Sequence, residues 1–306
     1  MPTIWGKKMR WQPMVHDRVE RVTTPDGDHL TLARLGSPTV GVPHLLVLHG
    51  LEGTIGAKYA HGLMALARSH GWSADLLLFR TCDGEINSAR RLYHSGETSD
   101  TDFIVRWLTE KTPGVSLRIC GVSLGGNVLV KWLGECGAGA KSLVHRAAAV
   151  SVPFDLGAGA SYLERGFSRF YTKHFLSTLV PKALRKLKQF PGAFDERRAR
   201  SAKTFWEFDD AVTAPLHGFN GAADYYERSS SMAFIERVRV PTLLFNSRDD
   251  PFVPPDVMSQ AESLAGANRS IELDFTARGG HVGWIEGTGW PGIYYMESRI
   301  IEYLSL

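Results

Sequence analysis

A serine set between glycines, a later aspartate and a still later histidine are the residue types that turn a hydroxyl into a nucleophile. A serine hydroxyl ionises far above neutral pH, so attack on a carbonyl needs a base within reach and a group that orients the base. Gly121-Val122-Ser123-Leu124-Gly125 fits G-x-S-x-G. In a chain with 31 glycines that match is weak alone, and its context gives it weight. A strand-like run from Leu117 to Val122 precedes it and a helix-like run from Leu124 to Glu135 follows, the setting of a nucleophile elbow. The turn is too tight for Cβ atoms beside the serine, and Gly126 extends the small surface.

In a fold with this motif the acid precedes the histidine. Asp250 opens Asp250-Pro251-Phe252-Val253-Pro254 just after a strand-like Thr242 to Phe245. A carboxylate at a strand's carboxyl end faces the crevice where α/β sheets bind ligands. Asp249 fits the spacing too, but the following turn favours Asp250. The plainer reading of both is a surface turn. His281, in Gly279-Gly280-His281-Val282-Gly283, is one of 11 histidines, and its place after Ser123 and Asp250 singles it out. An oxyanion hole needs two backbone N–H groups, one after the nucleophile and one from the early strand–helix loop. Leu124 supplies the first, and Leu51 of His49-Gly50-Leu51-Glu52-Gly53 the second, with Glu52 as the alternative. His49 itself reads as a hydrogen bonder beneath that loop.

The rest is negative. His70 and Asp75 fit an H-x4-D acyltransferase spacing but straddle a helix end and a strand start, so the match is coincidence. Glu52, Asp83, Glu85 and Glu97 lie near the expected mouth with nothing to pair them. Without a phosphate cradle, zinc spacing or calcium loop, no cofactor and no metal are expected.

The elements that must position these residues begin with a hairpin, Arg18 to Val22 and Leu30 to Ala33 around Pro25-Asp26-Gly27-Asp28. Strand-like His44 to Leu48, Ala74 to Phe79 and Val144 to Val150 alternate with helix-like stretches, one near Ala57 to Ser69 and one capped by Thr98 or Ser99. The rhythm resumes after Thr242 with a helix near Asp256 to Leu264, a strand over Ser270 to Phe275 and a last helix near Ile293 to Leu304. This order predicts an α/β fold, a mostly parallel twisted sheet with an N-terminal antiparallel hairpin and helices on both faces. Between them the alternation breaks, so residues 155–237 are expected to be a helical cap, with 1–154 and 238–306 forming the core. Cap aromatics Tyr162, Phe167, Phe170, Tyr171, Phe175 and Phe205 would line an apolar acyl site or form the cap's own core.

A net charge of +3, with no basic stripe, argues against nucleic acid as a partner. Three cysteines without a Cys-x-x-Cys pair suit a reducing compartment. The basic start, Met1 to Arg10, has no apolar signal-peptide region after it, and no run is long enough to span a bilayer, so a cytoplasmic protein is expected. Val180, Leu184 and Leu187 at helical spacing, opposite Lys182, Arg185, Lys186 and Lys188, fit a cap helix over the pocket. They also fit a weak membrane-surface contact.

The chain resembles the branch of the α/β-hydrolase superfamily that holds the bacterial YheT-type hydrolases and the plant protein EMB8. Eukaryotic lipid hydrolases and yeast medium-chain ester synthases belong to it too. The likeness rests on His49-Gly50-Leu51-Glu52-Gly53, Arg80-Thr81-Cys82-Asp83-Gly84-Glu85 and Arg91-Leu92-Tyr93-His94-Ser95-Gly96-Glu97-Thr98. It continues through Gly121 to Asn127, Phe208-Asp209-Asp210-Ala211-Val212-Thr213-Ala214-Pro215, Asp249 to Phe252 and Gly279 to Gly283. The resemblance implies a Ser–Asp–His hydrolase with esterase or acyl-transfer activity on a small-molecule ester, and it fixes neither substrate nor oligomeric state. The expected function is a serine carboxylesterase for short- to medium-chain acyl esters. Its alternatives are an alcohol acyltransferase using the same triad, a membrane-surface lipase and a catalytically silent binding protein.

Overall fold

The computed structural model describes residues 12–286 and 293–306, the side chains of Phe167, Glu286 and Ile293 apart. The basic segment Met1 to Arg10 and the Phe167 ring therefore lie outside the described residues. β1 (Arg18–Thr23) and β2 (His29–Leu35) form the expected hairpin, with Val19 opposite Ala33. Then follow β3 (Pro43–Leu48), α1 (Lys58–Ser69), β4 (Ser73–Leu78), α2 (Ser99–Lys111), β5 (Ser116–Val122), α3 (Leu124–Cys136) and β6 (Arg146–Val150). With β7 (Thr242–Ser247) and β8 (Ile271–Thr276) from later in the chain, the eight-stranded sheet has the order β1-β2-β4-β3-β5-β6-β7-β8, antiparallel at β1–β2 and β2–β4 and parallel from β4 onward. The chain steps from β3 to β4 on one side and then across to β5 on the other. That reversal splays the loops after β3 and β5 and opens a crevice at their carboxyl ends.

The parallel strands are apolar throughout because both faces are covered. Leu46, Leu48, Leu77 and Ile119 pack with Val128, Leu129 and Trp132 of α3. Their neighbours Leu45, Val47, Leu76 and Cys120 pack on the other face with Leu63 and Met64 of α1 and with Ile300, Ile301 and Leu304 from the last helix. Each such leucine contributes about 1.5–3 kcal/mol by leaving water.

Between β6 and β7 lie α4 (Leu156–Tyr162), α5 (Arg169–Gln189), α6 (Glu196–Ser201), α7 (Phe205–Phe208), α8 (Ala214–His217) and α9 (Ala222–Ser229). A π-helical turn, Asp209–Thr213, joins α7 to α8. Helices α5 to α8 share an apolar cluster that includes Leu176, Ala183, Phe194, Phe208, Val212 and Leu216, and α4 and α9 meet in a second one, with Leu156, Ala160, Ala222 and Tyr225. The sheet is completed by β7 (Thr242–Ser247), α10 (Pro255–Gly266) and β8 (Ile271–Thr276).

One local expectation differs from the structure and another holds without its expected hydrogen bond. Ile293 does not open the last helix: it pairs in a short hairpin, β9 (Ile285–Glu286) with β10 (Ile293–Tyr294), and α11 runs over Tyr295–Ser305. Thr98 stands at the N-cap of α2, yet its hydroxyl turns away to Glu135 at 2.6 Å. The Ser99 N–H donates instead to the Glu97 carboxylate at 2.8 Å, so Thr98 holds the N-cap position while Glu97 satisfies the first N–H of the helix.

Candidate active site

β5 ends at Val122 and α3 begins at Leu124, so Ser123 alone makes the turn, with φ 57° and ψ −119°. A residue with a side chain is held there at a cost of roughly 1–3 kcal/mol. The flanking glycines make the turn possible. A Cβ on Gly121 would lie 2.3 Å from the Gly125 carbonyl oxygen, and one on Gly125 would lie 2.4 Å from that of Leu48. The loop after β3 passes over the serine so closely that a Cβ on Gly50 would come 3.1 Å from Ser123 Cβ.

Ser123 Oγ lies 2.8 Å from His281 Nε2, and His281 Nδ1 lies 2.8 Å from Asp250 Oδ2 and 3.1 Å from Oδ1. With the Nδ1 proton donated to the carboxylate, Nε2 is left to accept from the serine hydroxyl. Asp250 is 3% exposed and also accepts the Phe252 N–H at 2.8 Å. The two adjacent aspartates have different partners. Asp249 accepts the N–H groups of Gly279 at 2.9 Å and Gly280 at 2.8 Å, together with the Ser247 hydroxyl, and so pins the histidine loop. Only Asp250 reaches the imidazole.

Sequence reasoning missed two further supports. Ser151, at φ 51°, donates its hydroxyl to the His281 carbonyl at 2.7 Å. The Phe252 ring stacks on the His281 imidazole with centroids 4.0 Å apart, restricting its tilt. Phe252 was visible as part of Asp-Pro-Phe, whereas nothing local marks Ser151.

Among the described residues, the N–H groups of Leu51 and Leu124 have no hydrogen-bond partner, and both residues line the same cavity as Ser123. The other N–H groups of the loop are taken. Gly50 donates to the Tyr59 hydroxyl, Glu52 to the Tyr93 hydroxyl and Gly53 to the Gly50 carbonyl, each at 2.9 Å. Glu52 is thereby removed as an oxyanion donor. His49 sits under the loop as expected: Nδ1 donates to the Gly50 carbonyl at 2.7 Å and Nε2 accepts the Phe79 N–H at 3.1 Å. Burial pushes this imidazole down to about 4, so it stays neutral.

The cavity encloses about 140 Å³. Its wall is mainly apolar, with Leu163, Phe175, Leu179, Phe205, Val212 and Phe252 among the lining residues. Of the cap aromatics, Phe175 and Phe205 reach this wall, Tyr171 is buried against Phe252, Tyr162 is half-buried and Phe170 is 57% exposed. His94, Asp209 and His217 form a polar part of the lining. Burial holds His217 down at about 3 and pushes the Asp209 carboxyl up to about 6 against hydrogen bonds from Thr213 and Tyr226.

The basic face expected on α5 is only partly a surface. Lys182 pairs with Glu52 at 2.5 Å, and Lys186 is fully buried, donating to the carbonyls of Asn87 and Ala89. Arg185 and Lys188 remain exposed. Asp75 is buried against Arg34 and His44, while His70 bonds the Leu66 carbonyl at the end of α1, so the H-x4-D spacing joins nothing. Among the described residues, no group of three or more His, Cys, Asp or Glu is arranged to hold a metal ion. None of their helices is long and apolar enough to cross a membrane.

A model of the alpha/beta hydrolase fold matches residues 43–288. The chain belongs to the α/β-hydrolase family. Within it, this α/β-hydrolase falls in the YheT/EMB8-like branch that its motifs resemble. It is 38% identical to "Putative esterase YheT" of Escherichia coli (strain K12), over 100% of this chain and 88% of the relative. It is 29% identical to the phospholipase ABHD3 of Mus musculus, over 95% of this chain and 74% of that one. Among solved structures, the Pyrococcus furiosus esterase Pf2001 superposes with a TM-score of 0.62 at 16% identity, covering 97% of this α/β-hydrolase and 94% of that chain. At that identity the likeness is one of fold.

Proposed function

We propose that the protein is a serine carboxylesterase that cleaves short- to medium-chain acyl esters. The observation that carries this reading is the chain of 2.8 Å contacts from Ser123 through His281 to Asp250, on the wall of an apolar cavity. Ser123 attacks the ester carbonyl as His281 Nε2 takes its proton, and Asp250 holds the imidazole tautomer and stabilises the imidazolium. The Leu51 and Leu124 N–H groups stabilise the tetrahedral oxyanion. His281 then protonates the leaving alcohol, and water resolves the acyl-enzyme by the same steps. Residues 155–237 act as the cap, over a core of residues 1–154 and 238–306. The name of YheT as a putative esterase supports the reaction class. The three unpaired cysteines support a cytoplasmic setting.

A cavity of about 140 Å³ is close to the size that admits a benzene-sized guest, which favours short acyl groups. A series of p-nitrophenyl esters tests this: kcat/KM is expected to peak at acyl chains of roughly four to eight carbons. A monotonic rise to palmitate would overturn the chain-length assignment.

The name of the phospholipase ABHD3 favours a second reading, a lipase acting at a membrane surface. It would need the exposed Arg185 and Lys188 of α5 to meet anionic lipid. Sedimentation with phosphatidylserine vesicles, lost in an Arg185→Gln/Lys188→Gln variant, would favour it over a soluble esterase.

A further inference from the structure

Glu52 lies one residue beyond the proposed oxyanion donor Leu51, and its backbone is left-handed at φ 54°. Glycine usually fills such a position, so a glutamate there needs holding from outside the loop. Two side chains hold it, through three hydrogen bonds. The Glu52 N–H donates to the Tyr93 hydroxyl at 2.9 Å, and that hydroxyl donates back to Glu52 Oε1 at 2.7 Å, closing a ring. Lys182 Nζ donates to the same Oε1 at 2.5 Å and stands 5.3 Å from the centre of the Tyr93 ring. Tyr93 is anchored in the core, stacked on Phe79, whereas Lys182 comes from α5 of the cap and itself lines the cavity. One turn along the same helix, Lys186 is anchored separately, on the carbonyls of Asn87 and Ala89. Lys182 is thus a cap contact aimed at the loop that carries Leu51.

We infer that Lys182 is a positioning residue for the oxyanion hole: through Glu52 it fixes the turn that leaves the Leu51 N–H facing the carbonyl oxygen of the substrate. The cap therefore covers the acyl group and also completes the machinery that stabilises the oxyanion. This rests on the serine-esterase reading above. A misplaced donor costs less than a lost one, and loss of one oxyanion donor typically lowers kcat by about 10²–10³.

Three proteins, wild type, Lys182→Met and Lys182→Arg, are assayed with p-nitrophenyl butyrate, with Ser123→Ala as the blank. Lys182→Met is expected to lower kcat by about tenfold with KM within twofold. Its affinity for an alkyl trifluoromethyl ketone, which forms a tetrahedral oxyanion on the serine, should fall by the same factor as kcat/KM. Lys182→Arg should recover most of the loss. If Lys182→Met does not fold, Glu52→Gln, which keeps an acceptor for Tyr93, should show the same pattern in weaker form. An unchanged kcat, a rise in KM alone, or ketone affinity unmoved while kcat falls would each overturn the inference. Activity retained by Ser123→Ala would instead overturn the esterase reading.

Discussion

Asp249 and Asp250 are neighbours of the same type, and what separates them is the direction of each carboxylate. Asp250 meets the imidazole at 2.8 Å, while Asp249 accepts two backbone N–H groups from the loop that carries it. The two substitutions should therefore fail differently. Asp250→Asn should lower kcat by on the order of 10⁴ with a near-wild-type melting temperature, because it disturbs the histidine tautomer. Asp249→Asn removes charge-assisted bonds of about 1.5–3 kcal/mol each, so its main loss should appear as a lower Tm with a smaller fall in kcat. Paired thermal melts and steady-state kinetics check this, and equal kcat losses would contradict the assignment. The order serine, acid, histidine was legible in the sequence, because each residue sits in a short stretch with a local backbone reason to be there. Ser151 and the Glu52–Lys182 pair were not. Lys182 is 130 residues from Glu52, and only the folded chain makes them neighbours.

The elements that carry the serine were legible for the same local reason. Alternating strand and helix patterns fixed the sheet, and glycines marked the elbow. The Gly125 position is packed against backbone on β3, so Gly125→Ala should destabilise the fold by about 3 kcal/mol or fail to accumulate as soluble protein. Chemical denaturation measures it, and a loss under 1 kcal/mol would mean the elbow is looser than described. The helical segment between β6 and β7 was legible only as an interruption. Its other helices are short, and its long helix α5 buries Lys186 and turns the half-buried Lys182 to Glu52, so an amphipathic count placed basic residues on a solvent face they do not share. A buried lysine satisfied by loop carbonyls leaves no periodic signal. The hairpin of β9 and β10 is two residues per strand, too short for an alternation to register.

Across the whole molecule, several histidines are kept neutral by burial: His49 at about 4, His217 at about 3, with His61 and His94 also lowered. In the unfolded chain each protonates near 6.5. As pH falls below about 6.5 the unfolded state takes up protons that the folded state refuses, so stability declines until the folded values are reached. Each such group contributes a slope of at most about 1.4 kcal/mol per pH unit in that window. Asp209 runs the opposite way, since its raised carboxyl value near 6 gives stability that is lost as pH rises through it. Melting temperatures between pH 6.5 and 4 should fall, and His217→Asn should flatten the decline; a parallel curve for that variant would contradict the burial argument. All of this supports one claim, that a histidine-activated Ser123 is the group that carries the acyl chain. Treating the 306-residue protein with a fluorophosphonate and locating the adduct by peptide mass spectrometry tests that claim most directly. The account predicts one phosphonyl group on Ser123, absent in Ser123→Ala and much slower to form in His281→Ala. An adduct on another residue, or equal labelling of Ser123→Ala, would contradict it.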